Sequence, residues 1–290
     1  MSIDLKSWKL GFLNCGELGR SLIYPLINRG ILNPRNIWVA ETKEDIHDYW
    51  ENEEHPRVNT SLSSCEVAQK VDIIFLGFPA YSLTDDLNDA ILPSLPYENS
   101  FKRKLIVSLI PGVTCDELAK KIAGYGIPRP TLQIIRFMPN MPFVVGEGLI
   151  PFSRDEYLIE TATSSVIELF SYHGMVQEID ESLMDIAASA PALHGPAFVY
   201  LMMEAMADGA VKNNLPRDLA IKFVAQVFAG AAKMVLTTGK HPGLLKDEAC
   251  SPEGPAIDGI HELENGCVRA SLIDAIDAAA RKLKQQKPRI

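Results

Sequence analysis

The sequence of 290 residues predicts an α/β domain on a largely parallel sheet, followed by an all-helical domain. Three observations carry this. Up to about residue 180, short apolar runs alternate with segments of helical period, as in successive βαβ units. Beyond that point the segments read as helix, with no alternating β-branched run among them. A glycine-containing turn also joins the first apolar run to the first helix. The expected domains are residues 1–180 and 181–290, both of ordinary domain size.

Taken in order, strands are expected over 9–13, 36–40, 73–77, 104–109, 133–137 and 174–178. A helix over 17–29 lies between the first two, stopped by Gly30 and the following Asn33-Pro34, which completes one βαβ unit. The later helices are expected over 196–213, 217–238, 257–264 and 268–285. The run AFVYLMMEAMADGAV is too apolar for a helix with one side in water, so it belongs in a bundle or a subunit interface. Met202, Met203 and Met206 at helical spacing are read as packing residues.

Hydrophobic residues make up 47% and charged residues 22%, and the net charge is −9. That charge argues against nucleic acid or an anionic membrane as partner and leaves small molecules as the expected ligands. Cys15, Cys65, Cys115, Cys250 and Cys267 show no CxxC pair or histidine at ligand spacing, so reduced thiols and no metal site are expected. A signal region and a long uninterrupted apolar run are both absent from the sequence, and the expectation is a cytoplasmic protein.

The first strand leads into Asn14-Cys15-Gly16-Glu17-Leu18-Gly19, a G-x-G-x-x-G pattern with asparagine at its first glycine. Such a loop gives a tight turn and sets a pyrophosphate at a helix N-terminus, so Asn14, Cys15, Gly16, Glu17 and Leu18 are candidate cofactor contacts. Asparagine enters the left-handed region readily, although its side chain adds bulk near the phosphates. Glu41 ends the next strand, where an acid accepts hydrogen bonds from ribose hydroxyls and repels a 2′-phosphate. The expected cofactor is NADH or NADPH; Glu41 tilts the choice toward NADH, while Lys43 keeps NADPH open.

Several later segments carry a family likeness. They are Ala207-Asp208-Gly209-Ala210-Val211-Lys212, Leu215-Pro216-Arg217, Gly230-Ala231-Ala232-Lys233-Met234, His241-Pro242 and Leu245-Lys246-Asp247. Earlier come Gly112-Val113-Thr114 and Arg136-Phe137-Met138-Pro139-Asn140-Met141-Pro142. From Gly11 to about residue 280 the chain resembles the pyrroline-5-carboxylate reductase family. The resemblance implies a Rossmann-like domain holding NAD(P)H at the C-terminal edge of its sheet, and a cyclic imine as substrate. It also implies a homodimer or larger homo-oligomer through the helical domain. Its reaction passes hydride to the C=N carbon of a five-membered imino acid while the nitrogen gains a proton, giving proline.

The departures from the family pattern lie where the resemblance places ligands. Asn14 replaces a loop glycine, and Gly77-Phe78-Pro79 stands for V-K-P, which makes Phe78 and Pro79 cofactor candidates without the lysine's charge. Asn140 is implied near the nicotinamide ribose, and an asparagine before a turn also has a conformational explanation. His194 stands where the family has serine, and an imidazole there could donate the proton or simply cap a helix. Ser251, Glu253, Gly254, Pro255 and Ala256 form the implied substrate loop in place of S-P-G-G-T-T; Pro255 lacks an amide proton, Ala256 lacks a hydroxyl and Glu253 adds negative charge. Reduction of pyrroline-5-carboxylate is therefore one reading. The alternatives are a reductase of a related imine or carbonyl compound with altered carboxylate recognition, and a non-catalytic dinucleotide-binding protein. His173, His241 and His261 are assigned surface or capping roles.

Overall fold

The computed structural model describes residues 7–41, 50, 57–90, 104–123, 132–158 and 160–286, so Lys43 lies outside the described residues. The chain divides into two compact units, Met1–Leu193 with Ala280–Ile290, and His194–Ala279.

The first unit is built on an eight-stranded sheet: β1 (Leu10–Leu13), β2 (Ile37–Ala40), β3 (Asn59–Ser61), β4 (Ile73–Leu76), β5 (Leu105–Ser108), β6 (Gln133–Phe137), β7 (Gly148–Arg154) and β8 (Gly174–Glu178). Their spatial order is β3-β2-β1-β4-β5-β6-β7-β8. All pairs are parallel except β6 with β7. β1, β4 and β5 are apolar along nearly their whole length because both faces of a parallel sheet are covered, which removes the alternation of a half-wet strand. One face packs Phe12, Phe75, Phe137 and Phe170 together, and the other packs Leu13, Leu76, Ile106 and Leu118.

Helix α1 (Gly16–Asn28) crosses from β1 toward β2. It closes with Gly30 at φ 69, where Ile31 N–H reaches Leu26 O and Gly30 N–H reaches Ile27 O. This paired closure needs a left-handed residue, which is why glycine is the stop. Among the described residues this unit also has the helices α2 (Ser64–Lys70), α3 (Leu83–Ala90), α4 (Cys115–Ala123) and α5 (Glu160–Ser171).

Sequence reasoning had no place for β3 or β7. β3 is three residues at the edge of the sheet, and Pro151 interrupts the pattern of β7. Between β8 and the helical unit, a short turn Glu181–Leu183 runs into a π-helical segment, Met184–Leu193. The contact division falls at the end of that segment, and the change in sequence character comes earlier, near residue 180.

The second unit contains α6 (His194–Lys212), α7 (Arg217–Thr238), α8 (Pro242–Ala249), α9 (Pro255–Asn265) and most of α10 (Val268–Gln286). The sequence reading omitted α8. Its N-cap is His241, whose Nδ1 accepts from Gly243 N–H at 3.1 Å. α6 and α7 pack around Ala207, Ala220 and Val224.

Candidate functional site

Asn14 and Gly16 both lie in the left-handed region, at φ 50 and 46, between β1 and the first turn of α1. The turn is tied to the sheet by Asn14 N–H donating to Ala40 O at 2.9 Å. Cys15 points inward between them. Its Sγ is near the carbonyls of Leu13 and Phe75, and burial pushes the thiol well above its ordinary pKa. It is therefore a packing residue of the loop rather than a nucleophile. Glu17 is exposed and Leu18 half-buried in the first helical turn, whose amides have no partner within the helix.

Two glycines explain how the loop stays tight. A Cβ on Gly19 would lie 2.7 Å from Cys15 Cβ, and one on Gly77 would lie 2.6 Å from Cys15 Cα and 2.9 Å from Asn14 O. Gly16, in contrast, has no neighbour among the described residues within 4 Å of where its Cβ would be, so on that side the loop is open to a ligand. Sequence reasoning did not assign Gly77 this role, because the close approach joins β4 to a loop more than sixty residues away.

Glu41 is 4% exposed, and its Oε1 accepts from Gly16 N–H at 2.9 Å. Burial raises its carboxyl above the usual value, while the Gly16 amide and the Trp50 side chain pull it back. The acid at the end of β2 and the glycine loop are thus brought together in one place.

Phe78 is buried in the core with Leu13, Leu76, Leu83 and Val113. Pro79 is exposed and starts a 3-10 turn, Ala80–Ser82. The Asn140 amide is already engaged: Nδ2 donates to Ala192 O at 3.0 Å and Oδ1 accepts from Leu149 N–H at 2.8 Å. Those bonds supply the conformational role that a turn asparagine offers.

In the helical unit, His194 is half-buried as the first residue of α6. The loop before α9 turns at Glu253, φ 56, and Gly254 is the N-cap. Gly254 N–H donates to Ser251 O at 3.1 Å, and a Cβ there would lie 2.2 Å from Ser251 Oγ. Ser251, Glu253, Pro255 and Ala256 are exposed. The amide of Gly254 is spent and Pro255 has none, so this helix start presents fewer free donors than an ordinary one. No group of three or more potential metal ligands occurs among the described residues.

Residues 9–112 match the family model for NADP oxidoreductase, coenzyme F420-dependent, and residues 181–286 match that for pyrroline-5-carboxylate reductase dimerisation. The pyrroline-5-carboxylate reductase of Escherichia coli is 36% identical over 278 residues, covering 94% of this chain and 96% of that protein. That of Arabidopsis thaliana is 34% identical over 286 residues, covering 98% of each. The crystal structure of Plasmodium falciparum pyrroline carboxylate reductase with NADP bound superposes with a TM-score of 0.82 at 28% identity, covering 98% of this chain and 99% of that one. With its loop geometry, sheet order and near full-length likeness in agreement, the chain belongs to the pyrroline-5-carboxylate reductase family.

Proposed function

We propose that this protein reduces Δ1-pyrroline-5-carboxylate to proline with a nicotinamide dinucleotide. The observation that carries the reading is the left-handed turn at Asn14 and Gly16, open outward and running into α1, in a chain alike to pyrroline-5-carboxylate reductases over nearly its whole length. The residues present fit the cofactor. The loop keeps the tight turn despite Asn14, Gly19 and Gly77 hold it close to the sheet, and the first-turn amides of α1 suit a diphosphate. When bound, the dinucleotide supplies the hydride.

The protein's own residues do the rest. Cys15, Gly16, Glu17 and Leu18 line the diphosphate turn. Glu41 faces the adenosine ribose and favours NADH, since a buried carboxylate opposes a 2′-phosphate. Phe78 and Asn140 act beneath the cofactor by shaping the strand ends, with the Asn140 amide pinning the segment after β6 to β7. His194 donates the proton to the imine nitrogen, and Ser251, Glu253, Gly254, Pro255 and Ala256 form the substrate loop. The helical unit joins two copies as a homodimer.

Purified protein should oxidise NADH in the presence of pyrroline-5-carboxylate, with a higher kcat/KM for NADH than for NADPH. His194→Ala should lower kcat about 100-fold or more, the scale of one general acid. Unchanged turnover would remove His194 from the chemistry. The donor-poor start of α9 favours a second reading, in which the preferred imine has no carboxylate. Turnover confined to carboxylate-free or six-membered imines would establish that reading and end the first.

A further inference from the structure

One of the first-turn amides that a dinucleotide loop offers to a diphosphate is already taken. Gly16 N–H, the first amide of α1, donates at 2.9 Å to Glu41 Oε1, and that carboxylate is almost wholly enclosed. A carboxylate at this helix start has the sign of charge and the acceptor geometry that a phosphate oxygen would bring. One N–H cannot serve both at full strength. The backbone on either side is held, Asn14 N–H on Ala40 O and Glu41 N–H on Ser61 O at 3.4 Å, so rotation of the Glu41 side chain is the most direct way to free the amide.

We propose that Glu41 is an internal anion that occupies the diphosphate amide of the free enzyme and must swing off Gly16 for the cofactor to bind. This rests on the reading that the loop holds the cofactor, and adds to it a competition within the protein. On release the same carboxylate becomes available to the ribose hydroxyls, so one side chain closes the site when it is empty and reads the sugar when it is filled. The device discriminates twice. A ligand must offer the loop a diphosphate good enough to displace Glu41, and it must then offer hydroxyls to the displaced carboxylate.

The competition is separable from simple charge repulsion. Glu41→Asp keeps the negative charge but is shorter by one methylene, about 1.5 Å of reach, and cannot span to Gly16 from a backbone held by Ser61. Glu41→Ala removes both charge and contact. The probe is inorganic pyrophosphate, which has no ribose, titrated by calorimetry at one fixed pH into the full-length wild type and both variants. Both variants should bind it about ten-fold more tightly than the wild type, the worth of one charge-assisted hydrogen bond. In the wild type carrying carboxyl-labelled glutamate, pyrophosphate should shift the Glu41 carboxyl resonance and the Gly16 amide resonance together, a readout that needs no variant to fold. Pyrophosphate affinity in Glu41→Asp equal to that of the wild type, or a shift of Gly16 without Glu41, overturns the proposal. NAD⁺ separates its failure from that of the cofactor reading: NAD⁺ binding with no gain for pyrophosphate in Glu41→Asp ends the competition alone, whereas no binding of NAD⁺ by any form ends both.

Discussion

Among single residues, His173 shows best how burial rather than residue type sets behaviour. A histidine near a strand end reads as a surface or capping group, yet His173 is 2% exposed, with its ring 5.7 Å from that of Phe143 and its Nδ1 3.3 Å from Phe143 O. The expectation is corrected because β8 begins beneath the turn containing Phe143, which sequence spacing does not reveal. Burial lowers its pKa below the ordinary histidine value. In the unfolded chain the imidazole takes its proton near the ordinary value of about 6.5; in the folded chain it does so only at lower pH. The unfolded state therefore binds more protons in that window, and the stability that neutral His173 supports is intact above it and lost as pH falls. Urea unfolding should show stability dropping between about pH 7 and about pH 5, with a shallower drop in His173→Gln. Identical slopes would exclude His173 as the source. Gly77 makes a residue-scale case of another kind: in Gly77→Ala the new Cβ meets backbone at 2.6 Å (Cys15 Cα) and 2.9 Å (Asn14 O) as well as the buried Cys15 Sγ at 2.8 Å, so the loop itself must shift. A loss of about 1–3 kcal/mol is expected in the same unfolding measurement, together with weakened dinucleotide binding.

At the scale of elements, an ion-pair network organises the far half of the sheet. Arg136 on β6 is 0% exposed; it bonds Glu181 at 3.0 Å and pairs with Asp185 through its other terminal nitrogen. Glu181 also accepts from Ser153 on β7 and from Cys115 N–H at the start of α4. The turn Glu181–Leu183 and the start of the π-helical segment are thereby joined to two strands and a helix. The two acids retain some exposure while the guanidinium has none, so the two halves of the network are unequal. Removing both acids with Glu181→Ala and Asp185→Ala strands a buried charge and should cost about 3–5 kcal/mol, whereas Arg136→Met lets the acids rehydrate and should cost less. Equal losses by denaturant titration would contradict this asymmetry. Legibility at this scale followed pattern strength. β6 and β8 match their expected bounds because a buried strand between turn residues is a strong local signal. β7 hid behind Pro151 and β3 behind its brevity, since their pairing is decided by neighbours rather than by their own residues. The site divided the same way: the loop and Glu41 were readable from spacing, but their mutual hydrogen bond and the burial of Phe78 were not.

At the scale of the whole molecule, the helical unit is apolar far beyond what it buries. Its core is Ala207, Ala220 and Val224, while Tyr200, Leu201, Ile221, Phe223 and Leu236 are each more than half exposed in the single chain. Leaving such side chains in water forgoes about 1.5–3 kcal/mol apiece relative to full burial, so a covering surface is favoured. Composition made that excess readable in the sequence; which face carries it depended on how α6 and α7 pair. α7 is also long and apolar enough to cross a membrane by length and composition alone. A second copy is the cover preferred here, because residues 181–286 match a dimerisation family and because Asp208, Arg217 and Glu204 share a groove with Tyr200, Leu201 and Ile221, which suits a wet-rimmed protein interface better than lipid. Leu201→Glu combined with Ile221→Glu places unpaired charges inside that interface, while each position remains exposed in the isolated chain. Sedimentation should show the wild type as a dimer or larger in detergent-free buffer and the double variant as a monomer with its helical circular dichroism retained. A double variant that still sediments as the wild type would move the interface elsewhere, and a wild type that floats with lipid vesicles would replace the second copy with a membrane.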